Sequence, residues 1–88
     1  MKADKEKVTR LLKTARGQID GILKMVEEDR YCPDISCQIS AAEAVLKRVN
    51  QEIIHAHLSC CVREAFLSGD EKESEAKIEE LMKIYKRL

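Results

Sequence analysis

His57 and Cys61 are four residues apart in a stretch whose pattern predicts a helix, and both side chains can bind a metal ion. Residues with this spacing lie on one face of a helix, about one turn from each other. The pair therefore suits a two-ligand clamp, although His and Cys also occur in ordinary helix cores. Cys32 precedes the pair and supplies a second thiol of the same kind. Together the three residues predict a sulfur-rich metal site.

A single chain cannot close this site if Cys32 and His57 belong to one helix. The 25 residues between them would rise roughly 37 Å at about 1.5 Å per residue. Two such helices packed antiparallel, with their centres near Ala44 or Val45, would bring Cys32 of one chain to His57 and Cys61 of the other. A twofold axis then generates two equivalent sites. The ligand spacing therefore predicts an antiparallel dimer.

The donor set indicates which metal would bind. Two thiolates and one imidazole favour Cu(I) in a three-coordinate site, because Zn(II) takes a fourth ligand and harder ions prefer oxygen. Cys37 and Cys60 are additional thiols, which leaves other soft metals or persulfide chemistry open. We interpret Cys60 as a small core residue, because free cysteine often behaves as one.

The composition predicts an all-α fold. The chain has 88 residues, three Gly, one Pro and 3% aromatic residues, whereas strands favour β-branched and aromatic side chains. We expect one domain over residues 1–88, with helices at about 4–28, 34–67 and 71–87. A core of this size is marginal, so we expect an oligomer.

The second predicted helix carries apolar residues with alternating steps of four and three, which is typical of a helix that packs along another helix. The residues of this seam are Ile35, Ile39, Ala42, Leu46, Val49, Ile53, Ala56 and Cys60. The seam and the separated ligands lead independently to the same paired arrangement.

The net charge is zero, but the charges are unevenly distributed. Basic residues concentrate in the first helix and recur midway along the second, whereas residues 70–80 are acidic. The basic positions are Lys5, Arg10, Lys13, Arg16, Lys47 and Arg48. By itself such a row usually marks a solvated helix face. We find no membrane-spanning or signal-peptide pattern in the sequence, and we expect a cytoplasmic protein.

The chain resembles the CsoR/RcnR family of metal-sensing transcriptional repressors. The resemblance covers LLKTARGQIDGILKMVEEDRYCPDISCQISAAEAVLKRV, HAHLSCCVREAFLSGD and KIEELMKIYKRL. It implies three helices per chain, an antiparallel dimer with a four-helix core, and a tetramer made of two dimers. It also implies that Cys32, His57 and Cys61 are the ligands, and that metal-free protein binds operator DNA.

Within that family the residue pattern favours the copper(I) sensors. Nickel and cobalt sensors use an additional N-terminal histidine, and the first 30 residues here contain none. Formaldehyde sensors have an acidic residue where this chain has Cys61, and persulfide sensors lack the histidine that matches His57. The resemblance further implies that Tyr31 and Glu80 form hydrogen bonds around the histidine.

These observations predict a repressor and not an enzyme, because no acid/base pair or phosphate-binding loop is present. We expect it to release operator DNA when Cu(I) binds; a thiol, persulfide or other metal sensor of the same family is the alternative. The resemblance implies that the six basic residues contact DNA together with Gln18, which lies in the RGQI segment.

Overall fold

A computed structural model of the chain describes residues 1–69 and 71–87, except for the side chains of residues 65, 66, 68, 71, 73 and 74. The described residues form three helices and no strand: α1 (Lys5–Glu27), α2 (Cys32–Ser68) and α3 (Glu71–Lys86). The all-α, three-helix prediction is confirmed. No described helix has the length and apolar character needed to cross a membrane.

The chain forms two compact units. The N-terminal unit comprises residues 6–49, and the C-terminal unit comprises residues 1–5 and 50–88. Helix α2 contributes its first half to the N-terminal unit and its second half to the C-terminal unit. Assignment of residues 1–88 to a single domain stays a prediction.

The end of α1 is closed by backbone hydrogen bonds. The Arg30 N–H donates to the carbonyl of Met25 at 3.0 Å, and the Glu28 N–H donates to the carbonyl of Lys24 at 3.0 Å. Asp29 has φ 52°, in the left-handed region that commonly terminates a helix. Asp tolerates this conformation better than most non-glycine residues. This turn ends α1 at Glu27 and leads the chain directly into α2.

Helix α2 begins at Cys32, two residues earlier than the predicted start at residue 34. The carbonyl of Tyr31 accepts hydrogen bonds from the N–H groups of Asp34 and Ile35, at 3.0 and 3.2 Å. Pro33 lies in this first turn, where a missing N–H removes no helical hydrogen bond. Cys32 is therefore the first residue of the helix rather than part of the preceding loop.

The buried residues of the N-terminal unit are Val8, Leu11 and Ala15 on α1 and Ala42 and Val49 on α2. Their spacing places each set on one face of its helix. The C-terminal unit buries Cys61 and Leu81. No described polar or charged residue is buried as a whole. Each unit therefore has a small apolar core.

The N-terminal unit also leaves apolar side chains in solvent, which we call the open apolar surface. Each residue of this surface has between 41% and 57% of its area exposed. The residues are Leu12, Ile19, Leu23 and Val26 on α1 and Ile39 and Leu46 on α2. The predicted seam of α2 is thus divided: Ala42 and Val49 are buried, whereas Ile39 and Leu46 are not. An apolar surface of this kind usually marks an interaction site.

Candidate functional site

His57 and Cys61 lie together on α2. The Cys61 Sγ atom is 3.4 Å from Nε2 of His57. Cys61 is buried, with 9% of its surface exposed, whereas His57 is exposed. The regular helix creates this contact, because side chains four residues apart meet on one face. A sulfur and an imidazole nitrogen therefore converge at the edge of the C-terminal unit.

The distance between these two atoms fits a shared metal ion. Bonds of about 2.3 Å to sulfur and about 2.0 Å to nitrogen, at tetrahedral to trigonal angles, place the two ligand atoms roughly 3.5 to 3.7 Å apart. The observed 3.4 Å requires a shift of only a few tenths of an ångström. The pair thus provides two of the three predicted ligand atoms at nearly the separation that a shared metal ion requires.

Cys32 is the third predicted ligand and belongs to the N-terminal unit. It is the first residue of α2, and its side chain is exposed. Within the described part of a single chain, no group of three or more His, Cys, Asp or Glu side chains could hold a metal ion. The described chain thus brings two of the three predicted ligands together.

The other thiols differ in their surroundings. All four cysteines are free. Cys37 is exposed, whereas Cys60 is half-buried and its thiol donates to Oε1 of Glu64 at 3.6 Å. Cys60 therefore has a polar partner as well as a packing role. Glu64 is not among the residues predicted from the sequence, although its position four residues after Cys60 places it on the same face of the helix.

Tyr31 and Glu80, the predicted hydrogen-bonding residues around the histidine, are both exposed. Tyr31 has 71% of its surface exposed, and its backbone carbonyl accepts the first hydrogen bonds of α2. No hydrogen bond joins Glu80 to His57 among the residues that the structure describes. Their roles around the histidine stay predictions.

The six basic residues predicted to contact DNA are all exposed. They are Lys5, Arg10, Lys13 and Arg16 on α1 and Lys47 and Arg48 on α2. In the described parts of the chain, none of them forms an ion pair. Their charges are therefore available to an anionic partner.

Gln18 differs from these basic residues because its side chain is partly enclosed. Its Oε1 atom is buried and has no hydrogen-bond partner among the described residues. An unsatisfied buried amide oxygen is unfavourable. Contact between Gln18 and a duplex would require its amide group to turn outward.

Nearly the whole chain matches a known protein family. The model of the metal-sensitive transcriptional repressor family matches residues 4–87. The chain belongs to this family. Its members are transcriptional regulators and not enzymes, as the sequence predicts.

Similar members of the repressor family include copper sensors. The chain is 43% identical over 84 residues to the copper-sensing transcriptional repressor CsoR of Bacillus subtilis (strain 168), covering 96% of this chain and 80% of that protein. It is 44% identical over 80 residues to CsoR of Mycobacterium tuberculosis (strain ATCC 25618 / H37Rv), covering 91% of this chain. The chain spans 65% of the length of the mycobacterial repressor.

Two solved structures of transcriptional regulators have a similar fold. One is the copper-sensing repressor CsoR with Cu(I) from Geobacillus thermodenitrificans NG80-2, with a TM-score of 0.77, 39% identity, and coverage of 93% of this chain and 82% of that chain. Another is the nickel-responsive transcriptional regulator InrS, with a TM-score of 0.82, 29% identity, and coverage of 99% and 94%. The fold of this chain is therefore similar to the folds of regulators that respond to two different metals.

Proposed function

We propose that this chain is a copper(I)-responsive transcriptional repressor that binds operator DNA when metal-free and releases it when Cu(I) binds between two copies. The observation that carries the proposal is the 3.4 Å contact between Cys61 Sγ and His57 Nε2. It provides one soft sulfur and one nitrogen donor at a spacing that fits a shared ion.

The third ligand comes from a second copy. Helix α2 begins at Cys32 and includes His57 and Cys61, and residues 25 apart in one helix are separated by roughly 37 Å along its axis. An antiparallel neighbour supplies Cys32 at the level of His57 and Cys61. The resulting twofold dimer has two sites, each with ligands from both copies.

The open apolar surface supports this dimer. Ile39 and Leu46 are 43% and 41% exposed, and they share a face of α2 with Cys32, since seven residues are close to two helical turns. A second copy placed on this face would remove the apolar side chains from water while adding its own ligands. The same pairing of two copies therefore buries part of the open apolar surface and completes the metal site.

Cu(I) is the metal that these ligands favour. Two thiolates and an imidazole provide a soft, three-coordinate set, and the similar proteins from Bacillus and Mycobacterium are named copper-sensing repressors. InrS is named as nickel-responsive, but the first 30 residues of this chain contain no His to serve as an additional nickel ligand. Copper(I) is accordingly our proposed inducer.

A thiol or persulfide sensor of the same family is the second candidate. It is favoured by the four free cysteines, two of which are exposed. In that case an inorganic polysulfide would transfer one sulfane sulfur atom to each thiolate of Cys32 and Cys61 of facing chains, leaving a shortened polysulfide each time, and the two persulfides would condense to a trisulfide with loss of hydrogen sulfide. Mass spectrometry after polysulfide treatment would then show a mass increase that Cu(I) sensing does not require.

The exposed basic residues of α1 and α2 form the proposed DNA-binding surface. Lys and Arg side chains displace counterions when they contact phosphates, so such binding weakens strongly with salt. Gln18 would join this surface only after its buried Oε1 atom turns outward. Action on operator DNA also places the repressor in the cytoplasm.

Cu(I) and operator DNA bind the same oligomer, and the binding of one affects the binding of the other. Movement of Cys32 toward His57 and Cys61 of the second copy shifts the relative positions of the basic surfaces, which then no longer match the duplex. Such coupling is reciprocal, so operator DNA must weaken Cu(I) binding by the same factor that Cu(I) weakens DNA binding.

Mixed dimers of two inactive variants test whether the site is shared. Cys32→Ala and Cys61→Ala dimers should each lack both complete sites. A dimer with one chain of each kind regains one complete site, so an equal, randomly assorted mixture should recover about one quarter of the wild-type sites. Anaerobic Cu(I) titration against a chromophoric chelator measures this recovery.

The control for this mixing experiment is a chain that carries both substitutions. When it is mixed with either single variant, it can complete no site, so no recovery is expected. Equal Cu(I) binding by the two separate single variants, with no gain on mixing, would contradict a site shared between chains.

Replacement of His57 by Ala should damage the coupling more than the metal affinity. Two thiols can still hold Cu(I), but the proposed hydrogen bonds of Tyr31 and Glu80 around the histidine would be lost. We expect the variant to retain Cu(I) yet stay on the operator, as measured by fluorescence anisotropy with and without Cu(I). Equal losses of affinity and coupling would count against transmission through the histidine.

A further inference from the structure

Glu64 continues the row of metal-binding residue types that His57 and Cys61 begin on α2. The three residues follow at steps of four and three, so Glu64 lies roughly 20° from His57 and roughly 60° from Cys61 around the helix axis. Its side chain is exposed. Helical side chains lean toward the N-terminus of their helix, so the carboxylate of Glu64 covers the turn that contains Cys61. Glu64 is therefore placed to reach an ion held by His57 and Cys61.

The carboxylate of Glu64 contacts a different neighbour in the structure. Its Oε1 atom accepts a hydrogen bond from the thiol of Cys60 at 3.6 Å. Cys60 lies roughly 40° from Glu64 around α2, on the side away from Cys61. In the described chain no group of three or more His, Cys, Asp or Glu side chains could hold a metal ion, which agrees with a carboxylate directed away from His57 and Cys61. The thiol of Cys60 thus holds Glu64 beside the site and not in it.

Metal ions differ in their use of a carboxylate at this position. Cu(I) prefers soft sulfur and nitrogen ligands, whereas Zn(II) takes four ligands in a tetrahedron and accepts carboxylate oxygen at about 2.0 to 2.2 Å. The proposed Cu(I) site has two sulfur atoms and one nitrogen, which is one ligand fewer than Zn(II) requires. An oxygen from Glu64 supplies the ligand that Zn(II) lacks, and Cu(I) has no use for it.

We propose that Glu64 is a conditional fourth ligand, which binds Zn(II) together with His57, Cys61 and Cys32 of the second copy but does not bind Cu(I). Cys60 opposes this step, because its hydrogen bond to Glu64 must break before the carboxylate can reach the ion. On binding, Cys32 and Cys61 release their thiol protons to solvent, whereas Cys60 keeps its proton. The inference rests on the proposed shared site, and it makes Cys60 and Glu64 determinants of metal selectivity.

Glu64→Gln tests the fourth ligand, because it keeps the size of the side chain and removes the charged oxygen donor. We expect the Zn(II) dissociation constant to rise by about tenfold or more, since even groups that only support ligands contribute about 10- to 100-fold. The Cu(I) dissociation constant should change by less than about twofold, because Cu(I) does not use the carboxylate. Anaerobic competition with chromophoric chelators measures both constants on the full chain.

Two substitutions of Cys60 distinguish a residue that holds Glu64 aside from one that binds the ion itself. Cys60→Ala frees the carboxylate, so the Zn(II) affinity should rise by about two- to tenfold, the range expected for one hydrogen bond. Cys60→Ser keeps a hydroxyl that donates to Glu64, so the Zn(II) affinity should not rise. With Co(II) as a spectroscopic substitute for Zn(II), both variants should retain the full charge-transfer absorption from thiolate to metal.

The double variant Cys60→Ala with Glu64→Gln should bind Zn(II) as weakly as Glu64→Gln alone, because the thiol acts only through the carboxylate. Glu79→Gln is the matched control, since it makes the same chemical change within the C-terminal unit. Glu79 is exposed and lies roughly 160° around α3 from the buried Leu81, so this variant should bind Zn(II) like the wild-type chain.

The inference is overturned if Glu64→Gln binds Zn(II) as tightly as Glu79→Gln, or if Glu64→Gln weakens Zn(II) and Cu(I) binding equally. A rise in Zn(II) affinity for Cys60→Ser as large as for Cys60→Ala also contradicts it. Loss of Zn(II) affinity and of thiolate absorption in both Cys60 variants would make Cys60 the ligand in place of Glu64.

Failure of this inference can be distinguished from failure of the proposed function. A wild-type chain that binds Cu(I) but no Zn(II) contradicts the fourth ligand alone. A wild-type chain that binds Cu(I) no more tightly than Cys61→Ala contradicts the proposed Cu(I) site itself.

Discussion

Replacement of Cys61 by Ala is expected to lower the Cu(I) affinity by more than about 100-fold and to abolish Cu(I)-induced release of operator DNA. Loss of residues that only support metal ligands already costs about 10- to 100-fold in affinity, and Cys61 is a proposed ligand. Its Sγ atom lies 3.4 Å from the histidine nitrogen, so its removal leaves His57 without its sulfur partner. Metal-free binding to the operator should persist.

Cys37→Ala is the matched control for this variant. It removes a thiol from the same helix, but Cys37 is exposed and is not a proposed ligand. Anaerobic anisotropy titrations with a fluorescent operator should show normal release for Cys37→Ala and none for Cys61→Ala. Release by the Cys61 variant at the wild-type Cu(I) concentration would exclude this residue from the sensing site.

The helices could be predicted because the local signals agree. The scarcity of Gly and Pro allows long helices, and Gly69, with φ 68°, ends α2 as a left-handed residue. The start of α2 was harder to locate, because it depends on hydrogen bonds to the carbonyl of Tyr31. These bonds start the helix at Cys32; Pro33 is compatible with a first turn here but does not by itself fix the first residue.

The contact between His57 and Cys61 could be predicted because helix periodicity alone creates it. Other features of the site depend on packing between helices, which the sequence pattern does not resolve. Burial of the Gln18 Oε1 atom depends on how α1 packs in its unit. The seam of α2 likewise appears continuous in sequence, yet Ala42 is 5% exposed and Ile39 is 43% exposed, because the pattern does not show which of these apolar side chains the unit itself covers.

Replacement of Arg16 by Ala should weaken operator binding and make it less sensitive to salt. Arg16 is exposed and forms no ion pair among the described residues, so its guanidinium group can contact a phosphate. The slope of log K against log salt concentration should become shallower by about 0.9 for each copy of Arg16 that contacts a phosphate. Because an oligomer carries the residue several times, the combined effect should be large at physiological salt.

Arg30→Ala separates a specific contact from a general loss of positive charge. Arg30 is also exposed, but its Nη1 atom lies 3.8 Å from Oε2 of Glu28, and it lies outside the proposed DNA-binding surface. Both variants lose one positive charge per chain, so long-range attraction to DNA falls equally. Equal salt slopes for the two variants would mean that α1 attracts DNA only through its net charge; a shallower slope for Arg16→Ala alone assigns a phosphate contact to this residue.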